Sequence, residues 1–202
     1  VIGAKAPVTG RDVKTNIDYN LQIEIVNSFE GKTGSVVATD KNGAVLALFS
    51  SPMFDPEDVT KSLNDTELPL FNRAIGGLYH PGSIFKPLVS IAALEEKKID
   101  KDFRYNDTGV VTVESQYGNY SYTNWYFTQY GGKEGEIDLT KALARSTDTF
   151  FYKIGELVGI DGLVEWMKKF GLTKLTNIDI NGEVQSLVPS PDWKEKVIHE
   201  KL

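Results

Sequence analysis

The 202-residue chain is 41% hydrophobic and 25% charged, the balance of an ordinary soluble globular protein able to bury one sizeable core or two small ones. Its net charge of -6, with no basic block, argues against nucleic acid as a partner. It has no cysteine, which excludes disulfides and thiolate catalysis and fits a protein that works outside the cytoplasm.

No apolar run approaches the ~18 residues of a membrane helix. The longest runs from Ala44 to Phe49. No signal peptide is visible; the chain starts at Val1 and closes on a charged segment from Lys194 to Leu202, so both ends read as cut.

Residues 1–17 are rich in Gly, Pro and polar positions and read as a linker or entry segment that ends extended, Asp12 to Ile17. Asp18 is placed to N-cap a helix from Tyr19 to Phe29, with Leu21, Ile25 and Phe29 as its apolar stripe and Gly31 as its stop. Two β-rich runs, Ser35 to Asp40 and Ala44 to Ser50, flank Lys41-Asn42-Gly43 and predict a hairpin. The second run is apolar almost throughout, which predicts cover on both faces. Ser51 to Gly82 reads as loop, punctuated by Pro52, Pro56 and Pro69.

A central helix is expected from about Ser83 to Lys97, with Pro87 tolerated in its first turn. Residues 100–135 are rich in turn and aromatic residues and predict loops and short strands. Two further helices are expected, Leu139 to Leu157 and Asp161 to Phe170, joined at Gly159. No repeats or low-complexity segments occur.

Pro81-Gly82-Ser83-Ile84-Phe85-Lys86-Pro87 places a serine and a lysine three residues apart, on one face of a helix start. A lysine that has shed its proton can take one from the serine hydroxyl, making a nucleophile with its own base. Near a helix N-terminus the Ser83 hydroxyl also meets the positive end of the helix dipole. S-x-x-K is a short and common pattern, and alone it reads as a surface helix start with a solvated lysine. Sixty residues later, Ser146-Thr147-Asp148 offers a second serine and a carboxylate that relay protons or tune a lysine; alone, Asp148 reads as a cap or surface group.

The order S-x-x-K then S-x-[ND] resembles that of penicillin-binding proteins and serine β-lactamases. Asn72-Arg73-Ala74 leading through Tyr79-His80-Pro81-Gly82 to Ser83 resembles the nucleophile segment of class B penicillin-binding proteins. Ser146-Thr147-Asp148-Thr149-Phe150-Phe151-Tyr152 resembles the second motif of their elongation-type branch of peptidoglycan D,D-transpeptidases, where Asp often replaces Asn. Asn124-Trp125, Gly182-Glu183 and Pro189-Ser190-Pro191-Asp192-Trp193 match as well, and the resemblance runs from about Gly10 to near the end.

The resemblance implies an α+β fold of the β-lactamase/transpeptidase type, an antiparallel sheet flanked by helices. Residues 18–202 would hold the N-terminal part of a penicillin-binding transpeptidase domain, without its C-terminal strands. It also implies serine acyl transfer that cross-links peptidoglycan. Ser83 attacks the penultimate D-alanine carbonyl of a stem peptide, Lys86 is the base, Ser146 passes a proton to the leaving amine, and Asp148 completes the set. No cofactor or metal is implied. The implied partners are peptidoglycan stem peptides, β-lactams as inhibitors and a membrane glycosyltransferase. The implied place is the periplasm or the extracytoplasmic face of the membrane, with an anchoring helix outside this chain.

The family's third motif, K-T-G, follows the other two in chain order. Lys32-Thr33-Gly34 precedes Ser83 and reads instead as a solvated turn. The resemblance therefore implies that the third motif, its oxyanion donor and its lysine lie beyond Leu202, and that this chain alone is inactive or impaired. A carboxylate near Lys86 also favours the charged lysine, so Asp148 is expected to need another cation.

His80 and His199 invite a serine–histidine triad, but no G-x-S-x-G elbow is present and neither has a zinc spacing. Gly76-Gly77 and Gly131-Gly132 are turns without a following G-K-[ST]. The aromatic cluster from Tyr117 to Tyr130 suits a glycan, and equally a loop packed on its domain. Three other readings stay open beside the transpeptidase: a serine β-lactamase or β-lactam sensor, a non-catalytic scaffold of the same fold, and a chain that folds by pairing with a second one.

Overall fold

A computed structural model of the chain describes residues 6–115 and 118–198. It divides into two compact units, one formed by residues up to Gly77 with Asp179–Val184, the other by Leu78–Ile178 with Gln185 onward.

The first unit is built on helix α1, Tyr19–Phe29, and the antiparallel hairpin β1, Gly34–Thr39, with β2, Val45–Ser51. Asp18 caps α1 by accepting from the Leu21 N–H at 3.1 Å, a contact worth about 1 kcal/mol. Glu30 and Gly31 end the helix in left-handed conformations, φ 48° and 74°. Gln22 holds α1 to β2 through both its amide atoms, donating to the Leu48 carbonyl at 3.0 Å and accepting from the Leu48 N–H at 3.1 Å. Phe29 and Phe49 meet edge to face at 4.9 Å. The burial of β2 alternates: Ala47, Phe49 and Ser51 are buried, and the residues between them are only half-buried. Two-sided cover, expected from its apolar run, is not observed among the described residues. Lys32 and Thr33 lie in the turn between α1 and β1, as the sequence suggested. A four-residue helix, α2, Arg73–Gly76, is capped by Asn72.

In the second unit the expected helix from Ser83 begins differently. Gly82–Phe85 form a 3-10 turn, and the α-helix, α3, runs Lys86–Glu95. Pro87 sits in its first turn, where no N–H is needed. Leu88, Val89, Ala92 and Ala93 are buried, and Ala92 and Ala93 are small enough to let a second helix approach closely. Helix α6, Asp148–Lys169, packs Phe150, Phe151, Ile154 and Val158 into the same core.

Short strands lie between these helices. β3, Tyr105–Asp107, pairs with β6, Gly135–Ile137, and β4, Val110–Ser115, pairs with β5, Gly118–Thr123, both antiparallel. Helix α4, Trp125–Tyr130, follows β5, and α5, Leu139–Arg145, follows β6. Phe103 and Tyr105 stand edge-on to Phe150, with centroids at 5.9 and 6.0 Å. The single helix expected from Leu139 to Leu157 is in fact two, α5 and α6. Ser146 breaks it by entering the left-handed region, φ 53°, ψ 42°. Gly159, φ 78°, interrupts α6 where the sequence placed a junction. No described helix is long and apolar enough to cross a membrane.

Candidate active site

Three elements of the second unit deliver the four residues that the sequence singled out. The 3-10 turn carries Ser83, exposed, just after Gly82 at φ 58°. The first residue of α3 is Lys86, only 8% exposed. The α5–α6 break carries Ser146, and the first residue of α6 is Asp148.

Lys86 Nζ donates to three acceptors: the Ser146 carbonyl at 2.7 Å, Ser146 Oγ at 2.8 Å and Asp148 Oδ1 at 2.5 Å. An ammonium has three protons, so the group is fully committed. Its charge also lies 5.4 Å from the centre of the Phe151 ring. Ser146 Oγ donates in turn to Ser83 Oγ at 3.0 Å. The lysine is thus joined to the exposed serine through the Ser146 hydroxyl, not by the direct Ser83–Lys86 contact that the three-residue spacing suggested. The left-handed backbone of Ser146 turns both its carbonyl and its hydroxyl toward Lys86.

Asp148 was expected to require a cation other than Lys86. Among the described residues its ion pair is with Lys86 itself. Its second oxygen accepts from the Trp125 N–H at 3.2 Å, and its own N–H donates to Asn124 Oδ1 at 3.3 Å. Asn124 and Trp125 sit at the start of α4, so that helix grips the start of α6.

Asp107 was missed in the sequence, where it is one acidic residue in a turn-rich stretch. It is 1% exposed and accepts four hydrogen bonds: Thr149 Oγ1 at 2.6 Å, the Gly109 N–H at 2.9 Å, the Glu134 N–H at 2.9 Å and Asn124 Nδ2 at 3.5 Å. Burial pushes its carboxyl up, but the four donors outweigh burial and hold it below the ordinary carboxylate range. Tyr152, on α6, is pushed up by burial, then by the nearby charge of Asp148 and by Tyr122.

Trp125, Tyr126 and Tyr130 pack on one another, and the Arg145 guanidinium lies 5.5 Å from the Trp125 ring and 5.2 Å from the Tyr126 ring. Arg145 also pairs with Glu134 at 2.9 Å. The aromatic cluster therefore packs on itself and on α5; Tyr117, at its other end, lies outside the described residues, as does His199. His80 is exposed. No group of metal-ligating side chains occurs among the described residues.

The sequence profile of the penicillin binding protein transpeptidase domain matches residues 33–201. The chain is 31% identical to the peptidoglycan D,D-transpeptidase MrdA of Acinetobacter baumannii, over 99% of its own length and 30% of that protein. It is 36% identical to the MrdA of Escherichia coli K12, over 94% of its length and 31% of that protein. The chain therefore spans about a third of the length of these curated relatives. The structure superposes on Pseudomonas aeruginosa PBP2, solved in complex with WCK 5153, with a TM-score of 0.84 and 33% identity over 97% of this chain and 46% of that one. It superposes on Helicobacter pylori PBP2, solved in complex with MreC, with a TM-score of 0.80 and 27% identity over 92% of this chain and 35% of that one. The α+β architecture is that of these transpeptidases, and the chain belongs to the penicillin-binding protein transpeptidase family.

Proposed function

We propose that the intact protein is a serine-type peptidoglycan D,D-transpeptidase, with Ser83 as nucleophile and Lys86 as base. The observation that carries this reading is the continuous chain Ser83–Ser146–Lys86–Asp148, in which each neighbouring pair is within 3.0 Å. The names of the MrdA relatives support the reaction class.

In the described state Lys86 Nζ donates three hydrogen bonds, so it must give up a proton before it can act as base. Once it has given one up, the hydrogen bonds reverse. Ser83 Oγ passes its proton to Ser146 Oγ as Ser146 passes its own to Lys86 Nζ. The freed electron pair on Ser83 Oγ forms the bond to the carbonyl carbon of the penultimate D-alanine. In this reading the Ser83 N–H is one donor to the developing oxyanion. When the tetrahedral intermediate collapses, the C–N bond breaks. The proton returns from Lys86 through Ser146 to the leaving D-alanine amine. The neutral amine of a neighbouring stem peptide then attacks the acyl carbonyl, the C–Oγ bond breaks, and the proton lost by the amine passes through Lys86 and Ser146 back to Ser83 Oγ.

A β-lactam takes the same path to a stable adduct, because its strained amide presents the same carbonyl. A β-lactamase would instead release that adduct quickly. We place the intact protein at the extracytoplasmic face of the membrane, alongside a glycosyltransferase that supplies glycan strands. The experiment is intact-mass analysis of the protein after incubation with penicillin. A long-lived adduct mapped to Ser83, and lost in Ser83→Ala, is expected. Labelling that persists in Ser83→Ala overturns the assignment, and rapid turnover of the adduct favours the hydrolase.

A further inference from the structure

Asp107 accepts four hydrogen bonds beside the site, and acyl transfer makes no direct use of it. It closes β3, where it stands opposite Gly135 of β6. A carboxylate has about four acceptor positions. Asp107 fills them with four donors from four separate places: the turn after β3, Asn124 before α4, Glu134 before β6 and Thr149 in the first turn of α6. No described cation pairs with it, so hydrogen bonds alone hold its charge in the interior.

Two of those donors lead straight to the reacting groups. Asn124 donates to Asp107 and with its own oxygen accepts from the Asp148 N–H, which fixes its amide in one orientation. Thr149 follows Asp148 on the same helix turn and is fully buried. Asp107 thus grips both sides of the α6 start, and Asp148 leaves that start to meet Lys86.

We infer that Asp107 is a positioning residue: through Asn124 and Thr149 it sets the Asp148 carboxylate, and with it the place of the Lys86 amine on the relay to Ser83. This rests on the acyl-transfer reading only where a rate is measured. A purely structural Asp107 would affect stability and leave the geometry of Lys86 unchanged in the folded fraction. A positioning Asp107 changes that geometry in protein that is still folded.

The test uses the intact protein and three variants, Asp107→Asn, Thr149→Val and Thr149→Ser. Thr149→Val removes one donor to Asp107 and keeps the volume, so it serves where Asp107→Asn does not fold. Two quantities are read on folded protein: the first-order acylation step with a fluorescent penicillin, separated from its non-covalent binding, and the NMR resonance of Lys86 Nζ. Misplacement of catalytic groups by an ångström costs up to about a hundredfold. Asp107→Asn and Thr149→Val are expected to slow the acylation step by ~10- to 100-fold with binding little changed. They are also expected to move the Lys86 resonance. Thr149→Ser, which keeps the hydroxyl, is expected to restore both relative to Thr149→Val.

An unmoved Lys86 resonance in the folded variants overturns the inference, whatever the rate. If the unchanged protein forms no adduct at Ser83 but the resonance moves, acyl transfer fails and the positioning role stands.

Discussion

The Lys86 ammonium and the Asp148 carboxylate lie 2.5 Å apart, with the lysine side chain 10% and the aspartate side chain 25% exposed. At this depth a charge left without its partner is costly, so the pair is best broken with both halves in view. Among the described residues, Lys86 is the amine that bonds Ser146, the neighbour of Ser83. Lys86→Ala is expected to slow acylation of the intact protein by ~10²- to 10⁴-fold, the usual loss with a general base. Second-order labelling rates measure it, and a parental rate would show that Lys86 is not the base.

Asp148→Asn tests the same pair from the other side. The carboxylate accepts from Lys86 with one oxygen and from the Trp125 N–H with the other. An amide has only one oxygen and points a donor at the second partner. The variant is expected to lose about 1–3 kcal/mol, the cost of an unmet donor. Denaturant midpoints check this, and unchanged stability would show that the two contacts are not held in solution.

Gly109→Ala is expected to be severe for its size. Gly109 has φ 85°, and a Cβ there would lie 2.6 Å from Phe127 Cγ. Its N–H also serves Asp107. Overpacking costs about 1–3 kcal/mol, and the left-handed backbone adds to it. A fall in denaturant midpoint, together with slower acylation, is the expected result.

Asp107 predicts sensitivity to acid. Its folded carboxyl lies below its unfolded value, so its stabilisation is complete above about pH 4 and is lost as the pH falls through the folded value. Denaturant midpoints from neutral pH downward are expected to drop in that window. The Asp107→Asn protein starts lower and declines less over the same range. Parallel curves for the two proteins would remove Asp107 from the account.

The 202-residue chain by itself is expected to be acylated at least ~100-fold more slowly than a form that also carries a K-T-G or K-S-G strand, since one oxyanion donor is typically worth that much. Fluorescent penicillin labelling of both forms, at equal folded concentration, checks it. Equal rates would return Lys32-Thr33-Gly34 to consideration as the third motif.

Local signals in the sequence carried the first unit well. Asp18 and Gly31 bracket α1 because capping is decided within a few residues, and Asn42-Gly43 marks the hairpin for the same reason. That the four candidate residues come together was legible from the spacing and order of the two motifs. What was not legible depends on contacts distant in the chain. The break at Ser146 has no glycine or proline to announce it; Lys86, sixty residues away, binds the groups that the break presents. β3 and β6 are three residues each, too short for a period to show. Asp107 stands out only when Asn124, Glu134 and Thr149 have been folded around it.

The left-handed backbone of Ser146 means that one residue offers Lys86 two handles of different kinds. The carbonyl handle survives any substitution that keeps the turn, and the hydroxyl handle does not. On the proposed acyl-transfer reading, tethering of the amine and traffic of protons are therefore chemically separable at a single position. The position is also one where L-residues carry strain of roughly 1–2 kcal/mol and glycine does not. A change to glycine would relax the backbone and remove the hydroxyl, so on the proposed acyl-transfer reading durability and turnover pull in opposite directions.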